Sequence, residues 1–324
     1  MRAVRIQAHG GPEVLRVDDV PPPEAGPGEV LLGVRAAGVN FADIERRRGS
    51  YEPHLPLPSI LGAEAAGVIV AVGAGVNPAL RGMRAVGLAR ASQAEMVKMP
   101  AAEVVLLPEV VDFDVAAALP VQGLTAYHLL HTMESVTPGM SILVHAIAGG
   151  VGLLVLQLAK AAGARVYGTA STEAKAEVAR RLGADAVLVA PDDLAGEILE
   201  LTGGHGVDLV LDSVGRSTAE ASLRSLAPFG HLVHFGEASG PPPRLDISAL
   251  YGRSLRVSAY WLRSPHPPGT HSAALHELLS DVVAGTLTCT IGLRLPLERV
   301  ADAHRALEGR RTVGKVVLRV DHPP

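Results

Sequence analysis

With 324 residues, 48% of them hydrophobic, and a formal net charge of −4, the chain has enough apolar matter for two packed domains and is no disordered polymer. Aromatic residues make up only 3% and there is no basic excess, which excludes the stacking platforms and cationic faces of nucleic-acid binders. One cysteine, Cys289, excludes intrachain disulfides and cysteine-rich metal sites and fits a reducing compartment.

The first 120 residues carry short β-like runs, Ala3–Gln7, Leu15–Val17, Val30–Ala36 and Ala66–Val72, broken by Pro and Gly clusters such as PPPEAGPGE at 21–29. That pattern predicts an irregular antiparallel or barrel-like domain. One helix is expected from Asn40 to Gly49, and a solvated face is one of two readings of its Arg46–Arg48. From about residue 120 strands and helices alternate, the rhythm of a parallel sheet. Strands are predicted at Ile142–His145, Arg165–Gly168, Ala186–Val189, Val207–Asp212, His231–Phe235 and Leu255–Ala259, with helices at 173–182, 193–202 and 217–226. The loop SPHPPG at 264–269 leaves this region. Helices at 272–284 and 297–308 and a strand at Lys315–Val320 follow, a tail too short to fold alone and expected to return to the first domain. No stretch reaches 18 uninterrupted apolar residues and the N-terminus has no apolar signal core, so a cytoplasmic chain with no membrane partner is expected.

The most informative stretch is SILVHAIAGGVGLLVLQLAKAAGARVYGTAS, residues 141–171. It reads as strand, glycine turn, apolar helix, strand, within the size of one βαβ unit. A dinucleotide pyrophosphate must approach backbone N–H groups at a helix N-terminus, and a side chain in the turn would block it. Ala148, Gly149, Gly150 and Val151 are therefore the candidate phosphate cradle, with Gly149 and Gly152 at the spacing of the last two glycines of GxGxxG. A site for NAD usually ends its second strand with an acid that holds the ribose 2′-hydroxyl. Here that strand ends Gly168-Thr169-Ala170-Ser171-Thr172. Its hydroxyls, with Lys175 one turn on, favour a 2′-phosphate and hence NADPH. Glu173 is the objection, and its simpler reading is a first-turn acid in a helix capped by Ser171.

Several stretches coincide with one family: GGPEVL (10–15), GPGEVLLGVRAAGVNFAD (26–43), LGAEAAGVIVAVGAGV (61–76), ALPVQGLTAYHLL (118–130), AIAGGVG (146–152) and LDSVG (211–215). In these the chain resembles the quinone oxidoreductases, the zeta-crystallin-like members of the medium-chain dehydrogenase/reductase superfamily. The resemblance implies an α/β fold in which a Rossmann doubly wound parallel sheet, 121–264, is inserted into a GroES-like β-rich catalytic domain, 1–120 completed by 265–324. It also implies a homodimer or homotetramer. Zinc alcohol dehydrogenases share the superfamily, but their three catalytic ligand positions fall here on Asn40, Ala63 and Val121. No metal is therefore expected.

Without a Lewis acid an isolated carbonyl is not polarised, so the expected substrate is a small molecule already activated by conjugation, a quinone or enone. Asn40 is the candidate to orient its oxygen, although the spacing equally allows a helix N-cap. The resemblance adds Arg47 and Tyr51 as further catalytic candidates, while Asp43 reads first as a structural hydrogen-bonding residue. It also implies cofactor contacts from Gln122 and Thr125, from Ser213 and from Phe235, Gly236 and Ser239 after later strands, and from Arg310 to the 2′-phosphate. The expected activity is NADPH-dependent quinone reduction. Reduction of enoyl thioesters or alkenals and a non-catalytic, crystallin-like NADPH-binding protein are the alternatives.

Overall fold

A computed structural model describes residues 1–52, 54–240, 244 and 246–320. In chain order the first part holds strands β1 (Arg2–Ile6), β2 (Arg16–Asp19) and β3 (Glu29–Val39), then helix α1 (Phe41–Arg48). Strands β4 (Ser59–Ile60), β5 (Glu64–Val72), β6 (Arg84–Leu88), β7 (Met96–Pro100) and β8 (Val105–Leu106) follow, then helices α2 (Phe113–Ala116) and α3 (Leu124–His131). Next come β9 (Ser141–Val144), α4 (Gly150–Ala161), β10 (Arg165–Ala170), α5 (Glu173–Arg181), β11 (Ala186–Val189), α6 (Leu194–Leu201) and β12 (Val207–Asp212). The chain ends with α7 (Ala219–Ser225), β13 (Leu226–His234), β14 (Arg256–Ala259), α8 (Thr270–Ala284), β15 (Ile291–Pro296), α9 (Val300–Glu308) and β16 (Lys315–Arg319).

These elements form two compact units, Met1–Leu124 with His266–Pro324, and Thr125–Pro265. In the second unit six strands run parallel in the order β11-β10-β9-β12-β13-β14. This is the doubly wound order, whose switch point falls between β9 and β12. Strands covered on both faces read as unbroken apolar runs, which is why Ala186–Val189 and Val207–Asp212 stand in the structure with the bounds predicted from sequence.

In the first unit the main sheet runs β15-β16-β3-β5-β6-β8, with β7 also paired to β3. A small antiparallel sheet, β2-β1-β4, completes it. Its core gathers Val30, Leu32, Val34, Ile69, Met99, Val316 and Leu318, all nearly or fully buried. The β3 segment alternates little because most of its residues are covered on both faces. No helix among the described residues is long and apolar enough to cross a membrane.

The three arginines of α1 do not form a solvated face. Arg46 and Arg47 are buried and only Arg48 is half exposed. Arg47 donates to Gly10 O at 3.0 Å and to Glu308 Oε1 at 2.5 Å, and lies 3.2 Å from His304 Nδ1. Its charge is met by Glu308, 261 positions away, and local spacing carries no sign of that partner.

Burial, with the charge of Arg47 beside it, pushes the His304 imidazole down to about 3. Its ordinary value is near 6.5, so the unfolded chain takes the proton first. Stability is therefore intact above about pH 6.5 and is lost as pH falls from there towards about 3. Between about pH 7.5 and about pH 5.5, urea titrations should show wild type losing about 1 kcal/mol more stability than His304→Asn, which keeps an acceptor for Arg47. Parallel pH profiles for the two proteins would refute this.

Candidate active site

In the first unit the sheet register builds a buried polar cluster. Val316 pairs with Val39 in the antiparallel β16–β3 ladder, so one step further sets Lys315 against Asn40. Ala65 pairs with Ala37 across β5–β3, so one step further sets Glu64 against Gly38. Three strand ends thus meet at one point. A Cβ on residue 38 would lie 2.1 Å from Glu64 Oε1; the glycine leaves room for the carboxylate.

Lys315 and Glu64 are 1% and 0% exposed. The ammonium donates to Glu64 Oε1 at 2.5 Å and to Asn40 Oδ1 at 2.7 Å. Asn40 Nδ2 donates to Glu64 Oε1 at 2.6 Å, and the backbone N–H of Val121 donates to Glu64 Oε2 at 2.6 Å. Gln122 Nε2 makes a long contact of 3.5 Å with Asn40 Oδ1. Its own Oε1 is buried without a hydrogen-bond partner among the described residues, an acceptor open to a ligand donor.

Asn40 occupies the N-cap position of α1 and forms a capping box with Asp43. Asp43 closes that box, accepting from the Asn40 backbone N–H at 2.9 Å. Burial raises the Asp43 carboxyl, opposed by Arg46, whose guanidinium stands 3.3 Å away. Arg46 also lies 4.8 Å over the Tyr51 ring. Of the three catalytic candidates, only Asn40 joins the cluster. Arg47 is held by Gly10, His304 and Glu308, and Tyr51 packs under Arg46 beside it.

Sequence reasoning missed the importance of Glu64 and Lys315. The available signal was compositional. Only Lys98, Lys160, Lys175 and Lys315 are lysines among 29 basic residues, and Lys315 opens a strand whose next three residues are apolar. A compact ammonium fits a two-acceptor corner where a guanidinium fork does not.

In the second unit β9 ends at Val144 and α4 begins at Gly150, with Ala146 in the left-handed region at φ 50°. Helix α4 has Gly149 at its N-cap and no side-chain cap. A Cβ on Gly152 would lie 2.5 Å from Ile147 O and 2.7 Å from Ile147 Cα; only glycine lets the helix return this close to the strand. Ala148, Gly149, Gly150 and Val151 thus form a bare helix start at the switch point, the chemistry a pyrophosphate needs.

Buried hydrogen bonds tie the strand ends together beneath this turn. His145 Nδ1 lies 3.1 Å from Thr169 Oγ1, which also accepts from the Ala146 N–H at 3.3 Å. His145 Nε2 lies 2.9 Å from Ser222 Oγ, which donates to Asp212 Oδ2 at 3.3 Å. Burial lowers the His145 imidazole and Asp212 opposes it. The Thr169 hydroxyl therefore supports the turn.

Ser171 and Lys175 stand at the end of β10, but Thr172, not Ser171, caps α5, accepting from the Lys175 N–H. The cap falls one residue later because β10 runs on to Ala170. Glu173 opens α5 and pairs with Arg180, as its first-turn reading implied. After β12 and β13, Ser213 O accepts from Ala238 N, and Ser239 Oγ donates to Val214 O at 2.7 Å. Phe235 N donates to Asp212 O at 2.9 Å, and a Cβ on Gly236 would lie 2.9 Å from Ser213 O. Thr125 is buried on α3, whereas Arg310 is exposed in the first unit at φ 53°.

Residues 26–109 match the family described as the alcohol dehydrogenase GroES-like domain, and residues 150–280 match the zinc-binding dehydrogenases. A quinone oxidoreductase of Pseudomonas aeruginosa is 40% identical over 98% of this chain and 99% of its own length. A 2-haloacrylate reductase of a Burkholderia species is 37% identical over 98% of each chain. The crystal structure of Escherichia coli quinone oxidoreductase in complex with NADPH superposes with a TM-score of 0.94 at 36% identity, covering 98% of this chain and 100% of that one. Full-length likeness in sequence and in fold together leave one conclusion: the chain belongs to the quinone oxidoreductase branch of the medium-chain dehydrogenase/reductase superfamily and is an oxidoreductase.

Proposed function

We propose that the protein is a zinc-independent reductase that uses NADPH to reduce quinones or other conjugated carbonyl compounds. The observation that carries this reading is the Lys315 ammonium bonded to both Asn40 and Glu64. Zinc needs several convergent lone pairs from Cys, His or carboxylate groups. At the three ligand positions of the zinc enzymes stand Asn40, Ala63 and Val121, of which two have no donor side chain. The acceptor atoms nearby already face an ammonium, whose positive charge opposes a divalent cation.

Bound NADPH supplies the hydride. The glycine turn at 148–151 receives its pyrophosphate, and Ser171 and Lys175 favour a 2′-phosphate over a free hydroxyl. Asn40 orients the substrate oxygen on which negative charge develops, in a corner dry enough for one hydrogen bond to count. A quinone takes one hydride and one proton to become a hydroquinone; an enone takes them across its double bond. The likeness to a 2-haloacrylate reductase favours extending the substrate class to activated alkenes.

Titration followed by nicotinamide fluorescence tests the cofactor assignment. NADPH should bind at least about tenfold tighter than NADH, a gap of about 1.4 kcal/mol. Lys175→Ala should shrink that gap while leaving NADH affinity unchanged. Equal affinity of the wild type for the two cofactors would overturn the assignment and return the ribose to Glu173.

A further inference from the structure

Asn40 is tied to three other polar side chains, and their chemistry leaves its amide little freedom. A carboxamide offers two N–H donors and two oxygen lone pairs. An ammonium can only donate, so the 2.7 Å contact from Lys315 Nζ requires the oxygen end. A carboxylate can only accept, so the 2.6 Å contact to Glu64 Oε1 requires the nitrogen end. Turning the amide over would set N–H against ammonium and carbonyl against carboxylate. Amide orientation is ordinarily an assignment; here two opposite charges dictate it. Gln122 Nε2, at 3.5 Å, covers the second lone pair of the oxygen. One group is left over, the second N–H of Nδ2, which has no partner among the described residues.

We propose that Lys315 is a positioning residue. With Glu64 it locks the Asn40 amide so that this one N–H is what the site offers to the oxygen of a conjugated carbonyl. The inference rests on the proposed role of Asn40 and deepens it. It gives the Asn40 amide a sign: it presents a donor and no acceptor, which suits a carbonyl oxygen gaining negative charge, while the acceptor left open beside it is Gln122 Oε1. Gly38 belongs to the same device, since any side chain there would push the Glu64 carboxylate out of reach.

The test uses the full chain with Lys315→Met/Glu64→Gln, which removes both charges together. The glutamine accepts either orientation of the asparagine amide. Three quantities are read: the Kd for NADPH, the kcat and KM with cyclohex-2-enone and 1,4-benzoquinone, and the infrared carbonyl band of cyclohex-2-enone held in the dead-end complex with NADP+. Misplacing a reacting group by about 1 Å costs up to about a hundredfold. The double variant should therefore keep its Kd for NADPH within about twofold and lose at least about tenfold in kcat, more than in KM. Its carbonyl band should move back towards that of the free enone or split in two. If the double variant does not fold, Glu64→Gln alone removes the acceptor-only partner and is read by the same band.

An unchanged band together with kcat within about twofold of wild type would overturn the proposal. Wild type that turns over no acceptor would instead overturn the proposed function. The band would still decide the positioning role, with a shift between wild type and variant supporting it and identity refuting it.

Discussion

Replacing Lys315 by methionine should cost about 3–5 kcal/mol of folding stability, the usual consequence of leaving one member of a buried ion pair alone. Lys315 and Glu64 are almost wholly removed from water, so the abandoned carboxylate cannot be rehydrated without opening the sheet. It would keep the N–H donors of Asn40 and Val121 but lose its only nearby cation among the described contacts. Against the marginal stability of ordinary domains, about 5–15 kcal/mol, this is a large fraction. Adding Glu64→Gln should recover most of the loss, because a neutral amide can keep the Val121 hydrogen bond and no longer needs a counter-charge. Urea titrations of wild type, both single variants and the double variant close the cycle. A coupling energy near zero would mean that the two groups do not depend on each other.

The second large effect is expected in the other unit. Gly152→Val should weaken NADPH binding by at least about a hundredfold, equivalent to about 2.7 kcal/mol. The reason is contact, not flexibility. A Cβ at 152 meets Ile147 O, Ile147 Cα and Ala146 O at 2.5, 2.7 and 2.8 Å, all backbone atoms, so the first turn of α4 must swing away from β9. The N–H groups that the proposed site offers to the pyrophosphate move with it. Fluorescence titration with NADPH reads the loss. Affinity within about threefold of wild type would show that the helix start is not the phosphate site.

How much of this could be read in the sequence depends on the range of the interactions. The Rossmann unit was legible because its signals are local. Strands covered on both faces are apolar runs, and the strand–glycine–helix turn sits within a dozen residues. The first unit was less legible. Strands β6, β7 and β15 carry polar residues, glycine or proline inside them, as in Met96–Pro100 with Lys98 at its centre, and did not stand out as runs. The candidate site was half legible. Asn40 was recognisable, yet its partners Glu64 and Lys315 lie 24 and 275 positions away and meet it only through sheet register. The burial of Arg47 was illegible for the same reason, since what neutralises it comes from Glu308. The α5 cap was displaced by one residue, from Ser171 to Thr172, because either hydroxyl satisfies the local rule and only the length of β10 decides between them.

The most direct test of the whole account is hydride transfer in metal-stripped protein. Purified enzyme is treated with EDTA, freed of chelator and mixed with NADPH and 1,4-benzoquinone while the nicotinamide absorbance is followed. The account predicts turnover unchanged by EDTA and unchanged again when zinc is added back. Activity that disappears with the chelator and returns with zinc would contradict it, because the reaction would then depend on a metal ion.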